Sequence, residues 1–252
     1  MTPSYFKAKH GYEIDGLWYP RVTSICRIIA KPALEKWLAN QKSFSAMERK
    51  RKKIIEWGIL VHETLEKILL GENTTISPKI RPSVDAFLDW LQRHKVRAFE
   101  AEKRVLSKKH FYSGTLDVLA EIDGRLGILD LKTSSEIWDD YFIQTAAYFQ
   151  AYNEKNSKKA KTYWILRVDQ YQKCMLCGAE KRNKNGEIDI KKNNKKCNHE
   201  WSDPKGVFEL REVKNKQIYI TTFLNAKKVW EFANRHLLSK ITNYPGKGSL
   251  WI

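Results

Sequence analysis

Gly114-Thr115-Leu116-Asp117-Val118-Leu119-Ala120-Glu121-Ile122-Asp123-Gly124-Arg125-Leu126-Gly127-Ile128-Leu129-Asp130-Leu131-Lys132 is the stretch that decides the fold. Asp-Gly is a preferred pair for a two-residue hairpin turn, whose central positions both need positive φ. A turn at Asp123-Gly124 sets Ile122 opposite Arg125. Counting back along the strands then sets Asp117 opposite Asp130 and Thr115 opposite Lys132. Cross-strand partners share a face with Cβ atoms ~5 Å apart, so two acids and a lysine are expected together in a hairpin that is otherwise mainly apolar. Like charges in such surroundings call for a cation, and Mg²⁺ or Mn²⁺ suits carboxylate oxygens and can polarise a phosphate. Lys132 would orient or activate water, or offset charge on the phosphorane. The stretch also fits a surface hairpin in which one Asp pairs with Lys132.

Upstream, Tyr12 to Tyr19 reads as a strand pair about Asp15-Gly16. Thr23 or Ser24 is expected to cap a helix through Ile25 to Ile29, and Pro32 to start another through Leu34, Trp37 and Leu38. Residues 45–70 show helix spacing, basic at Lys50-Arg51-Lys52-Lys53 and then apolar at Ile54, Trp57, Val61, Leu65 and Ile68, with Gly71 closing the helix. A loop over 73–82 and a helix over 84–96 are expected next. Downstream come a helix from Trp138 to Tyr152, a strand from Thr162 to Val168, strands over Val207–Ile220 and a closing helix over Thr221–Leu238. The fold class expected is α/β, a mixed central sheet flanked by helices. Within a single domain over 1–252, the expected parts are an N-terminal strand and helical module (1–53), a catalytic core (54–168), an insertion (169–205) and C-terminal strands and helix (206–252).

Gly58, His62 and Glu66 are four apart and make one helical stripe beside the apolar face; Gln144 and Tyr148 are also one turn apart. The ordered set Gly58-x-x-x-His62-x-x-x-Glu66, Gly114-x-x-Asp117, Asp130-x-Lys132-Thr133-Ser134 and Gln144-x-x-x-Tyr148 resembles the RecB-like branch of the PD-(D/E)XK nuclease superfamily. That branch includes RecB and AddB nuclease domains, CRISPR-associated nucleases and mitochondrial genome maintenance exonucleases. Leu116 stands where the superfamily has a Pro before its first acid, a departure that removes no ligand. The resemblance covers about residues 54 to 152 and implies a restriction-endonuclease-like core. It further implies a catalytic metal held by His62, Asp117, Asp130 and the Leu131 carbonyl, with Lys132 as the catalytic lysine and Glu66 in support. Gln144, Tyr148, Thr133 and Ser134 would contact the scissile strand. The implied reaction is phosphodiester hydrolysis by water, usually on DNA with a free or single-stranded end.

Cys174-Met-Leu-Cys177-Gly178 and Cys197-Asn-His199 supply two ligand pairs around a polar, Lys- and Asn-rich loop. Cys₃His at this spacing suits structural Zn²⁺ in a zinc-ribbon-like insertion. Several RecB-like nucleases hold an iron-sulfur cluster that uses one upstream cysteine, and Cys26 keeps a [4Fe-4S] alternative open. Four cysteines in 252 residues are too few for a disulfide scaffold.

The net charge of +17 points to a polyanionic partner. Lys50 to Lys53 and Lys108-Lys109-His110 are expected to track a nucleic-acid backbone, with Trp57, Tyr112 or Trp138 stacking bases. No apolar stretch is long enough to span a membrane, and Met1-Thr2-Pro3-Ser4 does not read as the start of a secretory leader, so a cytoplasmic place is expected, in the host if the chain is phage-encoded. The expected function is a Mg²⁺- or Mn²⁺-dependent DNA exonuclease in replication, recombination or repair, partnered by DNA and by a helicase or recombinase. A structure-specific endonuclease or CRISPR-type end trimmer, and a zinc-containing DNA-binding module with a vestigial nuclease site, are the alternatives.

Overall fold

The computed structural model describes residues 2–30 and 43–250. The helix expected from Pro32 lies outside them. The elements in order are α1 (Pro3–His10), β1 (Gly11–Ile14), β2 (Leu17–Pro20), α2 (Val22–Cys26), α3 (Phe44–Leu69), α4 (Arg81–Arg93), β3 (Val96–Ser107), β4 (Tyr112–Ile122) and β5 (Arg125–Lys132). They continue with α5 (Asp139–Lys155), β6 (Thr162–Lys173), β7 (Glu180–Lys184), β8 (Glu187–Lys191), β9 (Lys205–Glu212), α6 (Lys216–Ala233) and α7 (Arg235–Leu238).

Strands β3 to β8 lie in chain order in one sheet, with β9 on β6. All pairings are antiparallel except β5 with β6, which α5 connects as a crossover. The sheet is therefore mixed, and helices cover both faces. One core packs α2, α5 and α6 against Leu116, Ile128 and Ile165; the other packs α3 and α4 against Val118, Leu129, Leu131 and Leu166. Trp90, Trp164, Tyr112 and Phe87 are fully buried, and burial of each large apolar side chain contributes ~1.5–3 kcal/mol.

The Asp123-Gly124 turn forms as expected, with φ of 50° and 78°, and the pairing runs from Ile122↔Arg125 to Val118↔Leu129. Several boundaries differ from the sequence reading, each for a local reason. Arg21, not Thr23 or Ser24, precedes α2, which is only five residues long. Ser43 caps α3 by accepting the Ala46 N–H at 3.2 Å. Pro82, assigned to a loop, lies in the first turn of α4, where its missing N–H costs nothing. The helix ends at Arg93 and Val96 already begins β3. Ile218-Tyr219-Ile220, expected as strand, belongs to α6 because the Asn215 side chain accepts the Ile218 N–H at 3.3 Å and starts the helix there. β6 runs on to Lys173, so the insertion starts as a continuation of a core strand, and its hairpin β7–β8 extends the same sheet. Among the described residues no helix is long and apolar enough to cross a membrane.

Candidate metal centres

The β4 ladder breaks at Asp117. On one side the pairing stops at Val118↔Leu129; on the other it passes from Ala101↔Val118 to Lys103↔Leu116, and Glu102 between them takes a left-handed φ of 48°. Leu116 faces one core and Val118 the other, although a regular strand would put them on one face. The direct Asp117–Asp130 and Thr115–Lys132 pairing expected from the turn is thus corrected. The Asp117 carboxylate instead accepts the Leu131 N–H at 2.8 Å, replacing a ladder bond and drawing the acid to the end of β5.

Around this break the expected residues gather. His62 Nδ1, from α3, is 3.8 Å from Asp117 Oδ2. The Lys132 ammonium lies against Asp130 Oδ2 and donates to the Leu131 carbonyl at 3.3 Å. Asp130 is wholly buried, and neither of its oxygens has a well-directed hydrogen bond. Burial pushes its carboxyl up to about 7, with Lys132 opposing and Asp117 adding to the rise. Burial also opposes the charge on Lys132, but Asp130 and Asp117 outweigh it and hold the ammonium form above its ordinary range. Burial lowers His62, favouring the neutral imidazole that a metal needs.

Glu66 is nearly buried on the same stripe of α3, and its Oε1 has no partner. Burial, then Glu102, Asp117 and Glu63, push it to about 8. Glu66, Glu102, Glu63 and His62 line a cleft of about 580 Å³. Glu102 escaped the sequence reading because nothing in Ala101-Glu102-Lys103 marks an irregular backbone. Its φ is the signal, an unusual conformation for a Glu. Gly58 faces the loop after β5, where an added Cβ would stand 3.5 Å from Thr133 Oγ1, an ordinary contact that an alanine could also make.

Gln144 Nε2 donates to the Tyr148 hydroxyl at 3.0 Å, but Tyr148 is buried against Gly114, so the expected strand-contacting pair presents Gln144 only. Ser134 donates to the Glu136 carbonyl at 2.6 Å. Trp57 and Tyr112 are core residues and not base platforms; Trp138 is 40% exposed. Arg51, Lys52 and Lys53 lie exposed along α3 and Lys50 is half-buried, with Lys53 paired to Glu187 at 2.9 Å.

The second centre is more sharply drawn. The ligand atoms of Cys174, Cys177, Cys197 and His199 all lie within 4.8 Å of one another. Cys174 and Cys197 sulfurs are 3.8 Å apart, and Cys177 Sγ is 3.4 Å from His199 Nδ1. A tetrahedral ion with Zn–S ~2.3 Å and Zn–N ~2.0–2.1 Å requires edges of ~3.8 and ~3.6 Å. The four can therefore hold a metal such as zinc. His199 Nε2 faces Asn193 Oδ1 at 2.9 Å, the outer contact that fixes a ligating imidazole. Gly178, at φ 74°, returns its N–H to the Cys174 carbonyl at 3.0 Å and closes the knuckle. Cys26 is buried in the core beside α5 and is not one of the four gathered ligands.

The insertion touches the carboxylate site. Lys184 on β7 donates to the Thr133 carbonyl, Lys191 on β8 pairs with Glu136, and Asn185 Nδ2 donates to the Lys53 carbonyl at 3.0 Å. Behind them Arg182 of β7 donates to the buried Asp169 at 2.8 Å, and Arg167, in register with Lys132, forms an ion pair with Asp169 at 3.5 Å while donating to Glu209 at 3.1 Å. The hairpin between the two ligand pairs thus buttresses both the loop after Lys132 and the basic run of α3. Neither a known protein family nor a curated protein matches this sequence.

Proposed function

We propose that this protein is a Mg²⁺- or Mn²⁺-dependent DNA exonuclease built on a restriction-endonuclease-like core. The observation that carries the reading is the strand break at Asp117, which gathers two acids, a histidine and a lysine at one end of a mixed sheet. The wholly buried carboxylate of Asp130, which has Lys132 as ion-pair partner but no well-directed hydrogen bond, is the feature a divalent cation would satisfy. His62, Asp117, Asp130 and the Leu131 carbonyl would hold it, and the ion would supply Lewis acidity and a water of lowered pKa.

The chain's own groups then have separable tasks. Lys132, kept protonated by its acid neighbours, acts as a fixed cation that orients the attacking water and offsets charge growing on the phosphorane. His62, lowered by burial toward the neutral imidazole, would offer its lone pair to the ion. Glu66 and Glu102, whose carboxyls are raised by burial in the metal-free protein, would ionise beside a bound cation and then add negative potential that strengthens its binding. The charge of +17 favours DNA as substrate, and single-stranded or free ends follow from the resemblance. A helicase or recombinase would supply such ends.

The test is degradation of single-stranded DNA labelled separately at its 5′ and 3′ ends by wild type and Asp130→Ala in Mn²⁺. Cutting by the wild type alone supports the reading, and the label pattern gives polarity. Resistance of circular single-stranded DNA supports exonuclease over endonuclease. Binding without cutting by either protein overturns the catalytic reading in favour of a zinc-containing binding module.

A further inference from the structure

The β3–β4 turn and α6 enclose a separate recess of about 750 Å³. Lys109, His110 and Phe111 come from the turn, and Asn225, Lys228 and Phe232 from the helix. Among the described residues of its lining the one acid, Glu231, is buried and already engaged: Lys227, one turn away, and the Tyr244 hydroxyl both bond its Oε1. Among the described residues no carboxylate pairs with the side chains of Lys108, Lys109 or Lys228. Phe232 is 67% exposed, where most phenylalanines of this chain are packed. The Arg235 guanidinium stands 4.4 Å from its ring centroid and donates to the Phe232 carbonyl at 3.0 Å, which places a cation against the ring.

The recess also has the right place. Antiparallel pairing of β4 with β5 puts the turn before Tyr112 at the same end of the sheet as Asp130 and Lys132. α6 packs beside α5, with Phe142 and Tyr219 stacked at 5.3 Å, on the sheet face that carries Ile128 and Ile165. From Tyr112 to Asp117 along β4 is only ~17 Å at ~3.3 Å per residue.

We propose that this recess docks single-stranded nucleic acid, with bases stacking on Phe232 and phosphates meeting Lys109 and Lys228, and that it leads the strand toward the carboxylates. An exposed ring beside unpaired cations matches a strand that offers π faces and phosphates together. An apolar protein surface would instead bury those lysines without partners. The docking stands on the recess alone; the delivery of a strand to be cut rests on the nuclease reading.

The experiment measures fluorescence anisotropy of labelled oligo(dT) with zinc-loaded protein in the Asp130→Asn background, which separates binding from hydrolysis. Phe232→Ala is expected to weaken binding ~10-fold with the salt dependence unchanged, and Phe232→Trp to restore it. Lys228→Ala is expected to weaken binding and lower the salt slope by about 1. Affinities of Phe232→Ala and Lys228→Ala within about twofold of the parent overturn the proposal. Binding that depends on Phe232 while the wild type cuts nothing in Mn²⁺ sustains the dock and removes the nuclease. Robust cutting with binding indifferent to both positions does the reverse.

Discussion

Asp130→Asn removes a charge that the fold holds in a fully buried position, so it separates stability from function. In the metal-free protein the folded carboxyl titrates near 7, above its unfolded value, and Glu66 near 8. Between about pH 5 and 8 the folded state therefore binds more protons than the unfolded one, and stability falls as pH rises. The melting temperature of metal-free protein is expected to drop by several degrees across that window, less so in Asp130→Asn, and Mn²⁺ should reverse the trend in the wild type. A scan at fixed ionic strength over pH 5 to 8 checks this; a flat profile would remove the buried charges from the account. The same substitution is expected to lower the cutting rate at least ~10³-fold, the scale on which pre-organised charge acts in catalysis. The acids and Lys132 were legible because a two-residue turn fixes register. Their true geometry was not, because an aspartate that takes a backbone N–H breaks the ladder the counting assumed.

Elements couple the two centres. Gly114 accepts the Tyr148 ring so closely that an added Cβ would lie 2.4 Å from it. Gly114→Ala is expected to cost ~1–3 kcal/mol by displacing that ring and, with it, the Gln144 it holds; denaturant unfolding and the cutting rate should both register the change. The hairpin β7–β8 is the other coupling. Loss of metal from Cys174, Cys177, Cys197 and His199 should release Lys184 from Thr133 and Lys191 from Glu136. Elemental analysis is expected to find no metal in Cys177→Ser, which should also show no Co²⁺ thiolate absorption and cut more slowly while the sheet persists by far-UV circular dichroism. Lys184→Met should share the kinetic defect but keep its metal, and equal rates to wild type would break the link. The sequence showed the ligands but not this contact, since no periodicity tells where an insertion leans. The misreading of Ile218 to Ile220 has a similar cause: β-branched propensity yields to the Asn215 cap and to packing against α5.

At the scale of the molecule, the surplus of cations is partly spent inside. Arg167, Arg182 and Lys227 are buried with acids, and Lys53 is tied to Glu187, so these four add little to an external field. Those left toward solvent include Arg51 and Lys52 along α3 and Lys108, Lys109 and Lys228 about the recess, the last three paired with no carboxylate among the described residues. If a strand engages about four of them, log affinity for oligo(dT) should fall with log salt at a slope of ~−2.8, which is a loss of ~50-fold between 50 and 200 mM. The formal charge of +17, were it all at the surface, would demand a far steeper dependence. Measuring the slope therefore counts the phosphates this fold actually meets. A slope near zero would mean that the basic surface serves solubility and no polyanion, and it would count against the nuclease and the docking recess together.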